Sequence, residues 1–199
     1  MKLEWGIGSR AYPGESQTGD DCLVLQSGER TLVAVVDGSG HGREAARSTG
    51  IAIAAIKTNA SLPLVRLLEL CHQALRPTHG AAVSLACLDL QRRLMTWAGV
   101  GDVEGKLIRL QPDAAAQRQS LLLRNGVLGA RLPPLRASVL GFSPGDLLIL
   151  ATDGIDPEFA AGLNAHDHPQ HIADSILARY GRDNDDALVV AARYVDVTP

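Results

Sequence analysis

Apolar residues fall along the 199-residue chain in short runs with the period of strands, interrupted by three stretches with the period of helices. Leu3 to Ile7 reads as a short strand. Cys22 to Gln26 and Arg30 to Val36 read as a hairpin turned at Ser27-Gly28-Glu29. Arg43 to Asn59 is rich in alanine, with Ala46, Ile53 and Ile56 at helical spacings, and Leu64 to Leu75 repeats that pattern after Ser61-Leu62-Pro63. Strand-like runs follow at Ala81 to Leu90, Arg92 to Gly99, Lys106 to Leu110, Gln119 to Arg124 and Leu135 to Leu140, in the rhythm of a meander, with a loop at Pro112 to Gln117. Ser143-Pro144-Gly145-Asp146 has the residues of a turn before the apolar strand Leu147 to Ala151. Pro169 to Tyr180 places Ile172, Ile176 and Leu177 on one helical face, and Ala187 to Val195 closes the pattern as a strand. Strands grouped together, with helices inserted between groups, disfavour a βαβ alternation and favour packed antiparallel sheets covered by helices.

Composition narrows the class without naming a chemistry. The length suits one domain, residues 1 to 199, and 46% hydrophobic with 21% charged residues matches globular proteins rather than disordered ones. Aromatics are only 4%, so the core is expected to be aliphatic. The scarcity of stacking residues, with a net charge of −3, argues against nucleic acid as a partner. Cys22, Cys71 and Cys87 are odd in number and widely spaced, and are expected to be reduced core residues. No signal or membrane-spanning run is present, so no membrane partner and a cytoplasmic location are expected.

The positions of the acids carry more information. Val33 to Val36 runs into Asp37-Gly38-Ser39-Gly40-His41-Gly42, and Leu147 to Ala151 runs into Thr152-Asp153-Gly154. Gly19-Asp20-Asp21 precedes one strand and Asn184-Asp185-Asp186 another. Any one Asp-Gly is an ordinary turn dipeptide. Four such ends in one domain point to a common site, and carboxylates ~5 Å apart repel by about 3 kcal/mol per pair at an effective dielectric of about 20. Such a cluster needs a cation, and all-oxygen ligands favour Mg²⁺ or Mn²⁺. Two such ions can ionise water and clamp a phosphoryl group. The chain lacks the phosphate-binding GxxxxGK[ST] loop, the GxSxG elbow and HExxH, and Ser39 stands where a dehalogenase-type site needs a second Asp. His166, His168 and His171 lie in a polar stretch without a partner cluster and read as solvated residues.

Asp37-Gly38 with Gly40-His41-Gly42, Thr152-Asp153-Gly154, Asp185-Asp186-Ala187-Leu188 and Gly19-Asp20-Asp21 together resemble the PPM (PP2C-type) metal-dependent serine/threonine phosphatases, in the bacterial SpoIIE, RsbU and RsbX branch. The motifs stand in family order from Asp20 to Val190. Asp186 stands where many relatives outside this branch carry Asn. The resemblance implies an α+β fold, a four-layer αββα sandwich of two antiparallel sheets flanked by helices. It implies two Mn²⁺ or Mg²⁺ ions, and a hydroxide held by them that attacks phosphoserine or phosphothreonine in line. Asp37 would bridge the ions, the Gly38 carbonyl would hold one, and Asp153 and Asp185 would complete the shells, with Asp21 or Asp20 acting directly or through water. Asp102, in Gly101-Asp102, is either a third-metal ligand or a turn residue. Arg10 is either a phosphate contact or a solvated strand-end cation, and His41 either an acid near the leaving group or a residue that caps or packs. The resemblance further implies a stand-alone, monomeric catalytic domain acting on phosphorylated STAS-domain stressosome proteins of the RsbS and RsbR kind. Two other readings use the same acids: a catalytically weak, metal-stabilised binding module for such partners, and a receiver-like phosphoacceptor domain, which the paired helices disfavour.

Overall fold

The computed structural model describes residues 2–110 and 117–196. Its order is β1 (Lys2–Arg10), β2 (Asp20–Ser27), β3 (Arg30–Gly38), α1 (Gly42–Thr58), α2 (Leu64–Leu75), β4 (Ala81–Asp89), β5 (Leu94–Val100), β6 (Glu104–Arg109), β7 (Gln117–Ser120), β8 (Ser138–Gly141), β9 (Leu147–Ala151), α3 (Pro169–Tyr180) and β10 (Ala187–Val195). A 3₁₀ turn at Pro157–Ala160 precedes α3. Two five-stranded antiparallel sheets form, ordered β1-β10-β9-β6-β7 and β2-β3-β4-β5-β8.

The strand sequences dictate the layering. In β3, Val33 and Val35 join the core between the sheets, while Leu32, Ala34 and Val36 join a second core under α1 and α2. In β9, Leu148 and Leu150 point between the sheets, and Leu147, Ile149 and Ala151 pack under α3 with Phe159, Ile172 and Ile176. Strands covered on both faces read as unbroken apolar runs, which explains why β3 and β9 show no polar alternation despite being antiparallel. The expected four-layer αββα sandwich is therefore present. Its helical layers are unequal, with α1 and α2 on one side and α3 with the 3₁₀ turn on the other. The inter-sheet core is less purely aliphatic than composition suggests, because the few aromatics Trp97, Phe142 and Tyr194 are concentrated there. Cys71 is buried, Cys22 and Cys87 are half-buried, and all three are free thiols.

The chain departs from the expected pattern in its middle. The run from Ala81 to Leu140 is not one meander: β5 belongs to one sheet, β6 and β7 to the other, and β8 returns to the first, before β9 joins the second. Periodicity tells which face of a strand is buried but not which sheet the strand joins. The expected strand Gln119 to Arg124 is displaced, since β7 ends at Ser120 and Arg124 makes only an isolated bridge to Val100. Likewise, Leu135 to Leu140 shortens to the four residues of β8. Residues 112–116 of the expected loop lie outside the described residues, and Gln117 begins β7.

Close packing of α3 on β1 depends on glycine. A Cβ at Gly6 would come within 2.2 Å of the Gln170 backbone. The Gln170 side chain in turn accepts from the Ile7 N–H (3.1 Å) and donates to the Ile7 carbonyl (2.8 Å), occupying both free backbone groups of that residue on the edge of the sheet. No helix among the described residues is long and apolar enough to cross a membrane.

Leu148 is 1% exposed at the centre of the inter-sheet core. Leu148→Ala is expected to cost about 2–5 kcal/mol in denaturant unfolding, whereas Val139→Ala, on an exposed edge, is expected to stay within about 0.5 kcal/mol.

Candidate metal centre

Sheet register brings the acids together. Antiparallel pairing of β2 with β3 sets Asp20 opposite Asp37, and pairing of β9 with β10 aligns the strand ends that lead to Asp153 and Asp185. Asp37, Asp102 and Asp153 each offer a carboxylate oxygen within 4.8 Å of the others. They line one cavity with Asp185, Asn184, Tyr12, Ser39, Gly40, His41, Ala82, Gly126 and Val127, of about 360 Å³.

The remaining acids occupy distinct places. Asp20 is buried, and its Oδ2 accepts a 2.7 Å hydrogen bond from the Thr152 hydroxyl, which itself accepts from the Leu188 N–H at 2.9 Å. The hydroxyl before Asp153 thus ties the start of β2 to β9 and β10. Asp21, the next residue on a strand, faces the other way. It is exposed and its carboxylate accepts from the Cys22 N–H; it lines, together with Asp20, a separate groove with Ser16, Gln17, Thr18 and Thr49. Of the N-terminal acidic pair, Asp20 is therefore the member beside Asp37. Asp186 is buried as well: one oxygen accepts from the Tyr12 N–H at 2.8 Å, and the other has no partner among the described residues.

Asp102 is not merely a turn residue, since the corner at Gly101-Asp102 delivers its carboxylate into the cluster. Gly38 has no space for a side chain, because a Cβ would meet the Ala45 carbonyl at 2.4 Å and the Thr49 hydroxyl at 2.7 Å. The Arg10 guanidinium is turned away, donating to the Arg182 carbonyl at 2.6 Å and pairing with Asp183 at 3.2 Å. This engagement at a loop replaces the solvated strand-end reading, and Arg10 is not among the residues that wall the cavity. His41 occupies the N-cap position of α1 without capping it; its ring stacks on Tyr12 at 4.6 Å, and Nδ1 lies 3.2 Å from Glu15. His166, His168 and His171 are exposed, and His168 Nδ1 accepts from the Gln170 N–H at the start of α3.

The electrostatics are those of charges held too close. Burial first, then the charges of Asp20, Asp153 and Asp102, push the Asp37 carboxyl far above the ordinary carboxylate range, and it shares a hydrogen bond with Asp153. Asp20 is raised by burial, against the Thr152 hydrogen bond and with the charges of Asp186, Asp153 and Asp185. Asp153 is raised by burial and by Asp102 and Asp185, while Arg182 opposes the shift. Arg182 is a residue the sequence did not single out: it donates to the Asp153 carbonyl at 3.1 Å, and its own N–H donates to the Gly154 carbonyl at 2.8 Å. Tyr12 and Val127 were also missed, because they reach the cavity from segments that carry no periodic signal. The donor set fits a hard divalent cation: all-oxygen, converging, unneutralised, and backed by an orphaned buried carboxylate oxygen.

Comparison with known proteins decides the family. The model of the Stage II sporulation protein E (SpoIIE) family matches residues 27–195. The chain belongs to the SpoIIE family of PP2C-type serine/threonine phosphatases. It is 24% identical over 164 residues to the phosphoserine phosphatase RsbX of Bacillus subtilis, covering 82% of this chain and 80% of that one. A chain from work on the bacterial stressosome, described as a modular system adapted to control secondary messenger signalling, superimposes with a TM-score of 0.87 at 34% identity, over 97% of this chain and all of that one. RsbX in complex with magnesium superimposes with a TM-score of 0.84 at 22% identity, over 96% and 94% of the two chains. The family and the αββα fold expected from the motifs are thus established.

Without metal, the folded chain holds a proton at Asp37 that the unfolded chain has released at neutral pH. Stability of the metal-free protein is therefore expected to fall as pH rises above the ordinary carboxylate range. Asp37→Asn removes both the proton requirement and the repulsion. It is expected to flatten that dependence, raise the metal-free melting temperature by roughly 2–4 °C per kcal/mol relieved, and abolish stabilisation by added Mn²⁺, as read by thermal unfolding. Loss of metal-free stability in this variant would contradict the crowding argument.

Proposed function

We propose that the protein hydrolyses phosphoserine or phosphothreonine on STAS-domain signalling proteins of a stressosome, using two Mn²⁺ or Mg²⁺ ions, with Asp102 available for a third. The convergence of Asp37, Asp102 and Asp153 carries this reading. The resemblance to RsbX and to a chain from work on the bacterial stressosome supports the substrate class, and the magnesium complex of RsbX supports the choice of ion.

Asp37, Asp153, Asp185 and the Gly38 carbonyl would hold these ions, with Asp20 contributing directly or through water. When bound, such ions supply charge that clamps the phosphoryl oxygens and a water acidic enough to attack in line. The protein's own groups shape that reaction. Thr152 fixes Asp20, and Arg182 fixes the backbone at Asp153 and Gly154, so the ligands keep their positions as charge moves. His41 lines the cavity with its ring stacked on Tyr12 and its Nδ1 engaged by Glu15. Arg10 has no part in this account, because its guanidinium serves the loop at Arg182 and Asp183.

Phosphate release from a phosphorylated STAS-domain protein is expected to require Mn²⁺ or Mg²⁺ and to stop in excess EDTA. Asp37→Asn and Asp153→Asn are each expected to lower kcat by about 10³-fold or more with circular dichroism unchanged, a loss comparable to removing a principal electrostatic group from an active site. Undiminished turnover in EDTA would refute the reading.

A further inference from the structure

From Gln117 to Gly141 the chain carries Arg118, Arg124, Arg131 and Arg136 and no acidic residue. This segment has a charge of +4 within a chain of −3, which leaves −7 for the remainder. The arm nevertheless lies beside the acidic cavity. The Arg124 carbonyl accepts from the Gly101 N–H at 2.9 Å, and the Arg124 N–H donates to Gly99 at 3.3 Å, so Arg124 sits against the corner that presents Asp102. Leu128 and Ala81 exchange two backbone hydrogen bonds of 2.9 and 3.1 Å, and the Gly129 N–H donates to His72 Nδ1 at 3.0 Å. Val127 and Arg131 also exchange two, at 3.0 and 2.7 Å, closing a tight turn whose Val127, with Gly126, walls the acidic cavity. The arm is thereby pinned to β4, β5 and α2, and it holds Arg124 and Arg131 at the rim of the site on the Asp102 side.

These arginines are not used internally. None of the four makes an ion pair or a side-chain hydrogen bond among the described residues, whereas Arg30, Arg66, Arg92 and Arg109 are all paired with carboxylates. Among and just after them stand the exposed Leu122, Leu132 and Val139, of which Leu122 is 68% and Val139 62% accessible. Arginine interleaved with exposed aliphatic residues is the composition of a protein-binding surface, and guanidinium forks pair with carboxylates in bidentate fashion. The arm contains no lysine and no aromatic residue, the residues by which proteins settle on anionic membranes or stack on single-stranded nucleic acid.

We propose that this arm is the docking surface for an acidic phosphoprotein, reading carboxylates that flank the phosphoserine seated in the cavity. The proposal rests on the phosphatase reading and adds to it a class of substrate. A phosphorylated acidic segment is repelled by the negative body of the protein, and the arm is a positively charged stretch beside the cavity that attracts it.

Two synthetic phosphoserine peptides of equal length, one flanked by aspartates and one by lysines, test it. Wild-type protein is expected to favour the acidic peptide by about tenfold or more in kcat/KM, chiefly through KM, and to lose the preference as salt is raised. The double variant Arg131→Glu with Arg136→Glu is expected to abolish or reverse the preference while hydrolysing p-nitrophenyl phosphate at the wild-type rate. Equal use of both peptides, or a preference unchanged in the double variant, would overturn the proposal. Fluorescence anisotropy of the labelled peptides on the Asp37→Asn protein reads the same preference without turnover, so that a failure of docking and a failure of the phosphatase reading give different results. Arginine-dependent binding to phosphatidylserine vesicles without any peptide preference would assign the arm to a membrane and also overturn it.

Discussion

The structure depends on the fixed spacing of carboxylates that repel one another. Asp20 and Asp37 lie opposite each other in a hydrogen-bonded ladder, and Asp153 and Asp185 flank the ends of two paired strands. Asp20 and Asp37 cannot move apart without breaking register. Strands buried on both faces, such as β3 and β9, make a register slip prohibitive, because it would exchange the residues of two different cores. The three hydrophobic layers thus supply the rigidity against which the acids are compressed, and a cation or a bound proton must answer the compression.

The same constraint explains which parts of the molecule the sequence made legible. The strands carrying the acids are central and apolar, so β3, β9 and β10 stand out by composition, as do the long helical periods of α1 to α3. The weakly apolar edges β7 and β8 were misplaced, since strands with few buried residues have little pattern to read. Sheet membership was unreadable for a different reason: the crossings between β5 and β9 depend on tertiary packing, which leaves no period in the chain.

At the site, Asp37 and Asp153 were legible because a strand running into Asp-Gly is an unusual sequence when it recurs. The choice between Asp20 and Asp21 followed only from strand alternation once the β2 register was known. Asp102 was ambiguous in sequence because one glycine-aspartate corner looks like any other, and only convergence in space distinguishes it. Arg10 and Arg182 show the reverse: a cation near the acids in sequence is committed elsewhere, and one that the sequence reading passed over buttresses the Asp153 backbone.

The double hydrogen bond from Gln170 to Ile7 also bears on how the protein behaves in a crowded solution. β1 is an outer strand flanked by the partly exposed Trp5 and Ile7, the kind of margin on which another chain could add itself as an extra strand. A side-chain amide occupying both backbone groups of Ile7 mimics the neighbour that is missing, so at that residue a would-be strand finds no donor and no acceptor. One glutamine on α3 therefore acts as a guard against aggregation as well as a tether for the helix.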